Sequence, residues 1–322
     1  MGKLERTLAE PISGVNLNKP KIDISKTLSK FQLKLETIFL KKGYILFFIG
    51  FLLGRALILS TLTPFTLPFF AAVFLIKKDR APIALIGLVA GAATLSIIDA
   101  GYAFAISFIF LFVFKISKSL LKNEIKALPF YVFGVVLASN LGKGFIMTGQ
   151  ISLYDGMMAG VEASLGFILT LIFLQSIPLV MVNKRKQILK TEEIVCLIIL
   201  LSSIMTGTIG WTVYGLSVEY IMSRYLVIVF AFIAGAAVGS TVGVVTGLIF
   251  SLANVSSLYH MSLLAFSGLL GGLLKEGKKI GVAIGLFIAT LLLGMYGEGS
   301  GTLEKTLLES AAAVFLFLLT PQ

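Results

Sequence analysis

The 322-residue sequence has little charge and few residues of the kinds that form cross-links or bind metals: charged residues make up 13%, with one cysteine and one histidine. A single cysteine excludes an internal disulfide framework, and Cys196, inside an apolar run, is predicted to be a small buried hydrophobe. His260 has no neighbouring Cys, Asp or Glu, so we predict a packing group rather than a metal ligand. With no Ser–His–Asp set, catalytic carboxylate pair or phosphate-loop spacing, the sequence predicts no catalytic, cofactor or metal site in this span.

Hydrophobic residues are abundant instead, at 57% of the chain. Soluble domains have roughly 45–50% hydrophobic and about 25% charged residues. The composition therefore predicts a polytopic membrane protein, and unbroken apolar runs predict helices rather than a barrel. The net charge of +11 resides in short loops between these runs, which indicates a lipid bilayer as partner and not nucleic acid.

The apolar runs predict a bundle of about ten transmembrane helices. They cover residues 44–61, 64–76, 81–98, 102–117, 127–147, 156–182, 193–211, 225–274, 280–297 and 303–319. The run 64–76 is short, which predicts a tilted or buried helix. Since the first run follows a long basic segment, no cleavable signal peptide is expected.

Orientation follows from the lysines and arginines. Nearly all 27 lie in residues 1–43 and in loops 77–80, 115–126, 184–190 and 275–279. Basic loops stay in the cytoplasm, so both termini are predicted to be cytoplasmic. We expect a cytoplasmic segment 1–43, a membrane domain 44–319 and the start of a linker at 320–322. Within the first segment, residues 22–42 have the spacing of an amphipathic juxtamembrane helix, although a solvated lead-in fits equally.

The run 225–274 must cross the membrane an odd number of times, so ten and twelve spans both stay open, as does a re-entrant hairpin. Small residues four apart let helix backbones approach closely in lipid. Gly235, Gly239, Gly243 and Gly247 stand four apart, which predicts one continuous helix from about residue 225 to 250. The glycines farther along the run predict close packing. The proposed packing glycines are Gly235, Gly239, Gly243, Gly247, Gly268, Gly271 and Gly272. Aligning loop 77–80 with loop 275–279 places Gly87 on Gly285, which raises the possibility of an internal duplication.

Ionisable residues at membrane depth are costly and are candidates for function. Arg55 and Glu162 lie inside apolar runs and could pair across helices or line a transport site. Structural roles are the alternative: a helix end for Arg55 and the outer interface for Glu162. We assign Glu219 and Arg224 to outer loops or helix ends.

Several segments resemble the membrane region of the stage II sporulation protein E family, the membrane-bound PP2C-type serine phosphatases of endospore-forming bacteria. They read IGFLLGRALILS, PFTLPFFAAVFLIKKDRA, SLGFILTLIFLQSIP, GVVTGLIFSLANVSSLYHMSLLAFSGLLGGLLKEGKK and MYGEGSGTLEKTLLESAAAVFLFLLTPQ. The block Met261–Lys279 is the most specific, and residues 1–41 match poorly.

The resemblance implies a longer protein, in which a manganese-dependent phosphatase domain follows the membrane region. That enzyme dephosphorylates an anti-anti-sigma factor, activates the forespore sigma factor, and assembles with the tubulin-like division protein at the polar septum. No catalytic residue carries over to this span, and manganese is expected only in the absent domain. The resemblance predicts a module for anchoring, localisation and possible regulation that also self-associates. A small-molecule transporter or sensor, with a central cavity lined by Arg55 and Glu162, is the alternative.

Overall fold

A computed structural model describes most of the apolar part of the chain. The described residues are 43–59, 61–117, 124–149, 152–181, 190–253, 258–297 and 300–320. The amphipathic helix predicted within residues 22–42 lies outside the described residues, as do positions 321 and 322.

The described residues form twelve α-helices and one short β-hairpin. The helices are α1 (Tyr44–Arg55), α2 (Thr66–Ile76), α3 (Ala81–Ala93), α4 (Ile97–Ser117), α5 (Glu124–Thr148), α6 (Leu153–Met181), α7 (Thr191–Thr206), α8 (Val218–Ala234), α9 (Ala236–Ala253), α10 (Leu258–Leu273), α11 (Lys278–Gly297) and α12 (Ser300–Leu319). Between α7 and α8, strands β1 (Thr212–Val213) and β2 (Leu216–Ser217) pair antiparallel. The predicted all-α class is confirmed.

Five helical segments are long and apolar enough to cross a membrane. They are Ile97–Ser117, Glu124–Ile146, Leu153–Met181, Ala236–Ala253 and Tyr259–Met295, the last of which contains α10, a 3-10 turn and α11. The helices α1 and α2 are apolar but shorter. These segments fit a membrane protein, while the count of about ten spans and the cytoplasmic termini stay predictions.

Helix α2 lies at the centre of the largest hydrophobic cluster. Its residues from Thr66 to Val73 are all buried. The Phe70 ring meets Phe110 of α4 edge-on, with ring centroids 6.2 Å apart, and Phe69 meets Phe173 of α6 at 6.3 Å. A helix that is apolar all round is stable only when surrounded by other elements. The prediction that run 64–76 includes a buried helix is confirmed.

Helices α1 and α3 pack with their backbones almost touching. A Cβ on Gly54 would lie 2.1 Å from the Leu88 carbonyl oxygen, and one on Gly91 would lie 1.9 Å from that of Phe51. Both distances are far below van der Waals contact, so any side chain at these positions would separate the two helices.

Helices α9 and α10 meet in the same way, through several glycines of the predicted packing set. A Cβ on Gly243 would lie 2.3 Å from the Leu264 carbonyl oxygen, and one on Gly268 would lie 2.1 Å from that of Gly239. The remaining close approaches are Gly247 to Met261, Gly272 to Ala236, and Gly271 to Val282 of α11. The two helices therefore form a seam of backbone contacts, here called the glycine seam (Gly239, Gly243, Gly247, Gly268 and Gly272).

The prediction of one continuous helix from about residue 225 to 250 is wrong. Helix α8 ends at Ala234 and α9 begins at Ala236, because Gly235 adopts φ +87° and ψ −171°. This conformation is essentially restricted to glycine. A Cβ on Gly235 would meet nothing within 4 Å, so the conformation of its backbone, rather than a close approach, makes glycine necessary at this position.

Substituting Gly235 with alanine should strain the break between α8 and α9 and destabilise the fold by about 1–2 kcal/mol. The control is Gly101→Ala, because Gly101 lies in α4 with open space around it and no positive φ. Thermal unfolding of the detergent-purified variants measures the difference. Equal midpoints for the two variants would contradict the assigned backbone role.

The two basic loops of the proposed duplication have similar turns but different surroundings. Each contains a 3-10 turn, Lys78–Arg80 in one and Leu274–Gly277 in the other. Gly87 then approaches the Phe47 carbonyl of α1, whereas Gly285 approaches the backbone of Gly271 in α10. Their partner helices thus occupy different places in the chain order.

Candidate functional site

Arg55 is the last residue of α1, where a cation interacts favourably with the helix dipole. Its guanidinium donates to Thr94 Oγ1 at 3.2 Å and to the Ile209 carbonyl at 3.3 Å, and it lies 5.2 Å from the centre of the Trp211 ring. Arg55 therefore takes the alternative role, at a helix end and against a carbonyl, and its possible pairing with Glu162 is not formed. Arg55 instead holds the end of α1 against the turn that follows α7.

Glu162 is 5% exposed and begins a chain of hydrogen bonds between four parts of the molecule. Its carboxylate accepts hydrogen bonds from the Thr63 backbone N–H at 3.1 Å and from Asn140 Nδ2 at 2.9 Å. The Tyr102 hydroxyl donates to Asn140 Oδ1 at 2.8 Å, and the Lys143 ammonium lies 4.8 Å from the centre of the Tyr102 ring. This network fixes α4, α5 and α6 to the loop before α2.

Replacing Glu162 with alanine should destabilise the fold by about 1–2 kcal/mol, because the Thr63 N–H and the Asn140 amide would lose their buried acceptor. Glu162→Gln retains one acceptor oxygen at the same reach and should lose less. Thermal unfolding of the purified variants compares them. Equal losses in the two variants would show that the hydrogen bonds are not the source of the stability.

A second buried cluster joins α8, α12 and the β-hairpin. Arg224 Nη1 donates to Glu309 Oε2 at 2.8 Å, and the side chains are only 1% and 2% exposed. The other carboxylate oxygen of Glu309 accepts the Ser217 backbone N–H at 3.1 Å. Arg224 lies in the second turn of α8, near the start of the helix, and its burial was not part of the prediction that placed it in an outer loop or at a helix end.

His260 belongs to the same cluster. Its ring stacks on that of Tyr220 with centroids 3.9 Å apart, and Tyr220 in turn lies 6.0 Å from the Arg224 guanidinium carbon. Across the described residues, no group of three His, Cys, Asp or Glu side chains is arranged to hold a metal ion. His260 packs against an aromatic ring rather than against other ligand-type side chains.

Sequence reasoning missed Glu309 entirely. The signal was present, because Glu309 lies inside the apolar run 303–319 and Arg224 directly before the run at 225. Two opposite charges in or beside apolar runs can neutralise each other when their helices pack together. The contact between α8 and α12 is a property of the tertiary fold, and it cannot be predicted from a single sequence.

The buried Arg224 and the basic turn that contains Lys275 lie toward opposite ends of α8. Lys275 donates to the Ile233 carbonyl at 2.9 Å, near the end of α8, whereas Arg224 lies near its start. Lys279 donates to the Thr320 carbonyl just beyond α12. Lysines at helix C-termini satisfy free carbonyls and complement the helix dipole. In α8, a basic turn therefore lies against the C-terminal end, and the buried ion pair lies nearer the N-terminal end.

A cavity of about 420 Å³ lies between α4 and α5. It is lined by Tyr102, Ala105, Ile106, Ile109, Ala138, Ser139, Gly142, Lys143 and Ile146. The transporter hypothesis predicts a cavity lined by Arg55 and Glu162, and neither residue lines this one. Its wall nevertheless includes two members of the Glu162 network, Tyr102 and Lys143.

Comparison with known proteins gives the family. The model of the "SpoIIE, N-terminal domain" matches residues 1–322. The chain belongs to this family. Its members include Stage II sporulation protein E of Bacillus subtilis (strain 168), which is 49% identical over 322 residues, covering all of this chain. Stage II sporulation protein E of Priestia megaterium is 67% identical over 81 residues, which is 25% of this chain and 14% of that protein.

The predicted resemblance to the SpoIIE family is confirmed, and it extends through residues 1–41, where the sequence resemblance was weak. The chain spans 39% of the length of the B. subtilis relative. No solved structure matches it significantly.

Proposed function

We propose that this SpoIIE N-terminal domain anchors, localises and regulates a sporulation serine phosphatase in the bacterial cell membrane. The observation that carries the proposal is the family match over the full chain, combined with coverage of only 39% of a relative named for sporulation. The activity resides in the remainder of the longer protein, where a manganese-dependent phosphatase domain acts on an anti-anti-sigma factor.

The physical character of the described residues supports an anchoring role. Five segments can cross a bilayer, and the glycine seam and the α1–α3 contact pack helices closely enough to hold a fixed shape. The domain positions a cytoplasmic enzyme at the polar septum, self-associates there and brings the enzyme to the tubulin-like division protein. The glycine seam and the α1–α3 contact hold helices together, a role that requires no catalytic side chain.

Localisation tests the proposal. Residues 1–322 fused to a fluorescent protein, expressed in sporulating cells without the native protein, should concentrate at the polar septum. A control fusion carries an unrelated multispanning domain. Uniform membrane fluorescence of both fusions would remove the localising role.

A transporter or small-molecule sensor is the second candidate, because the cavity between α4 and α5 connects with the buried Glu162 network. If the domain is a transporter or sensor, a soluble ligand should protect the purified domain against thermal unfolding. The Glu162→Gln variant should lose this protection. A screen in which metabolites give no protection would leave anchoring as the function.

A further inference from the structure

We propose that the groove between α4 and α5 binds one anionic phospholipid, with the headgroup phosphate at Lys143 and an acyl chain along the apolar floor. The groove is the 420 Å³ cavity described above. This inference concerns a binding site within the membrane domain and does not depend on the proposed function.

Small side chains create the space. Ala105 of α4 faces Ala138 and Gly142 of α5 across the groove, and a Cβ on Gly142 would meet nothing within 4 Å. For most helical glycines of α1, α3, α9 and α10, the space where a Cβ would stand is occupied by the backbone of a neighbouring helix. Gly142 lacks such a neighbour, so the surface here is an open channel rather than a seam.

The groove surface is almost entirely apolar, and its ionisable lining residues, Tyr102 and Lys143, lie toward one end. Tyr102 lies five residues after the start of α4, and Lys143 lies five residues before the end of α5. Each is therefore about 7 Å from its helix end, a depth from which a lysine side chain can extend toward the headgroups. Ile106 and Ile109 continue deeper, beyond these ionisable residues. This order matches a lipid with its headgroup at the surface and its chain in the core.

Two polar groups at the groove lack an ion pair or a hydrogen bond within the described part of the chain. Lys143 forms no ion pair within the part of the chain that the structure describes, and its ammonium instead faces the Tyr102 ring. Ser139 Oγ is buried without a hydrogen-bond partner there. An ammonium at membrane depth is costly unless an anion accompanies it. A phosphate oxygen would accept a hydrogen bond from the Lys143 ammonium, and charge assistance strengthens it.

A helix from a second copy would be the rival occupant, since small residues also suit close helix packing. Such a helix would cover Lys143 and bury its charge against apolar atoms, whereas a phosphate neutralises it. The Lys143 ammonium, which forms no ion pair among the described residues, therefore favours the lipid.

Native mass spectrometry of the detergent-purified chain tests the proposal, with phosphatidylglycerol and phosphatidylcholine added separately. We expect one tightly retained phosphatidylglycerol, bound about fivefold more strongly than phosphatidylcholine, because one lysine contributes that much to attraction for an anionic lipid. Lys143→Gln should abolish the preference, and Gly142→Leu, which fills the groove, should remove retention of both lipids.

The matched control is Lys305→Gln, which removes an exposed lysine from α12 and should leave binding unchanged. Equal loss in the Lys305 and Lys143 variants would show general charge attraction and overturn the proposal. Unchanged binding in Lys143→Gln would also overturn it, as would a dimer in the wild type that Gly142→Leu converts to monomers while lipid retention stays the same. Circular dichroism verifies that each variant is folded.

Discussion

Replacing Glu309 with alanine is expected to destabilise the folded chain by about 3–5 kcal/mol, because it leaves a buried arginine without a counter-charge. The Arg224 side chain is 1% exposed, and Glu309 is the ion-pair partner that the structure gives it among the described residues. The Ser217 backbone N–H would lose its acceptor at the same time. The loss should appear as a large fall in the thermal midpoint of the purified domain.

Two further variants separate the buried charge from other effects of mutation. Glu304→Ala removes an exposed carboxylate from the same helix and should change stability little. The double variant Arg224→Met, Glu309→Leu removes both charges and should recover most of the loss, since apolar replacements of a buried pair are often tolerated. A double variant as unstable as Glu309→Ala would contradict the ion-pair explanation.

The second large effect is expected in the glycine seam. Gly243→Leu should destabilise the fold by about 3 kcal/mol, because its side chain would have to occupy the space of the α10 backbone. Even a Cβ at this position would lie 2.3 Å from the Leu264 carbonyl oxygen. The two helices must then separate, and the separation exposes the whole seam.

Gly160→Leu is the matched control. Gly160 also lies within a long apolar helix, α6, but a Cβ there would meet nothing within 4 Å. A leucine with open space around it costs little, and loss of a helical glycine favours the helix. Fluorescence-detected size exclusion after heating compares the two. If both leucine variants unfold at the same temperature, the close approach at Gly243 is not important for stability.

Features that depend on local composition were predictable from the sequence. Among the described residues, the apolar runs became helices, the basic loops 77–80 and 275–279 became turns, and the short run 64–76 became a buried helix, because each follows from nearby residues alone. Glycines four apart predicted close helix contact at Gly239, Gly243 and Gly247, and the structure places these three against α10. Whether that contact serves anchoring stays part of the proposed function.

Features that depend on tertiary partners were not predictable. Gly235 has the same spacing as the packing glycines, yet it ends a helix, since periodicity does not report the sign of φ. Arg55 and Glu162 both find partners other than each other, in Thr94 and Asn140. Which helices become neighbours decides such pairs, and a single sequence without the fold leaves several choices open.

The central claim is that this membrane domain determines where the phosphatase acts. A full-length protein in which residues 1–322 are exchanged for an unrelated multispanning domain tests it, with septal enrichment measured by fluorescence in sporulating cells. Matched protein levels and phosphatase activity in membrane extracts are the controls. The account predicts an active enzyme spread uniformly around the membrane; septal enrichment equal to that of the unmodified protein would contradict it.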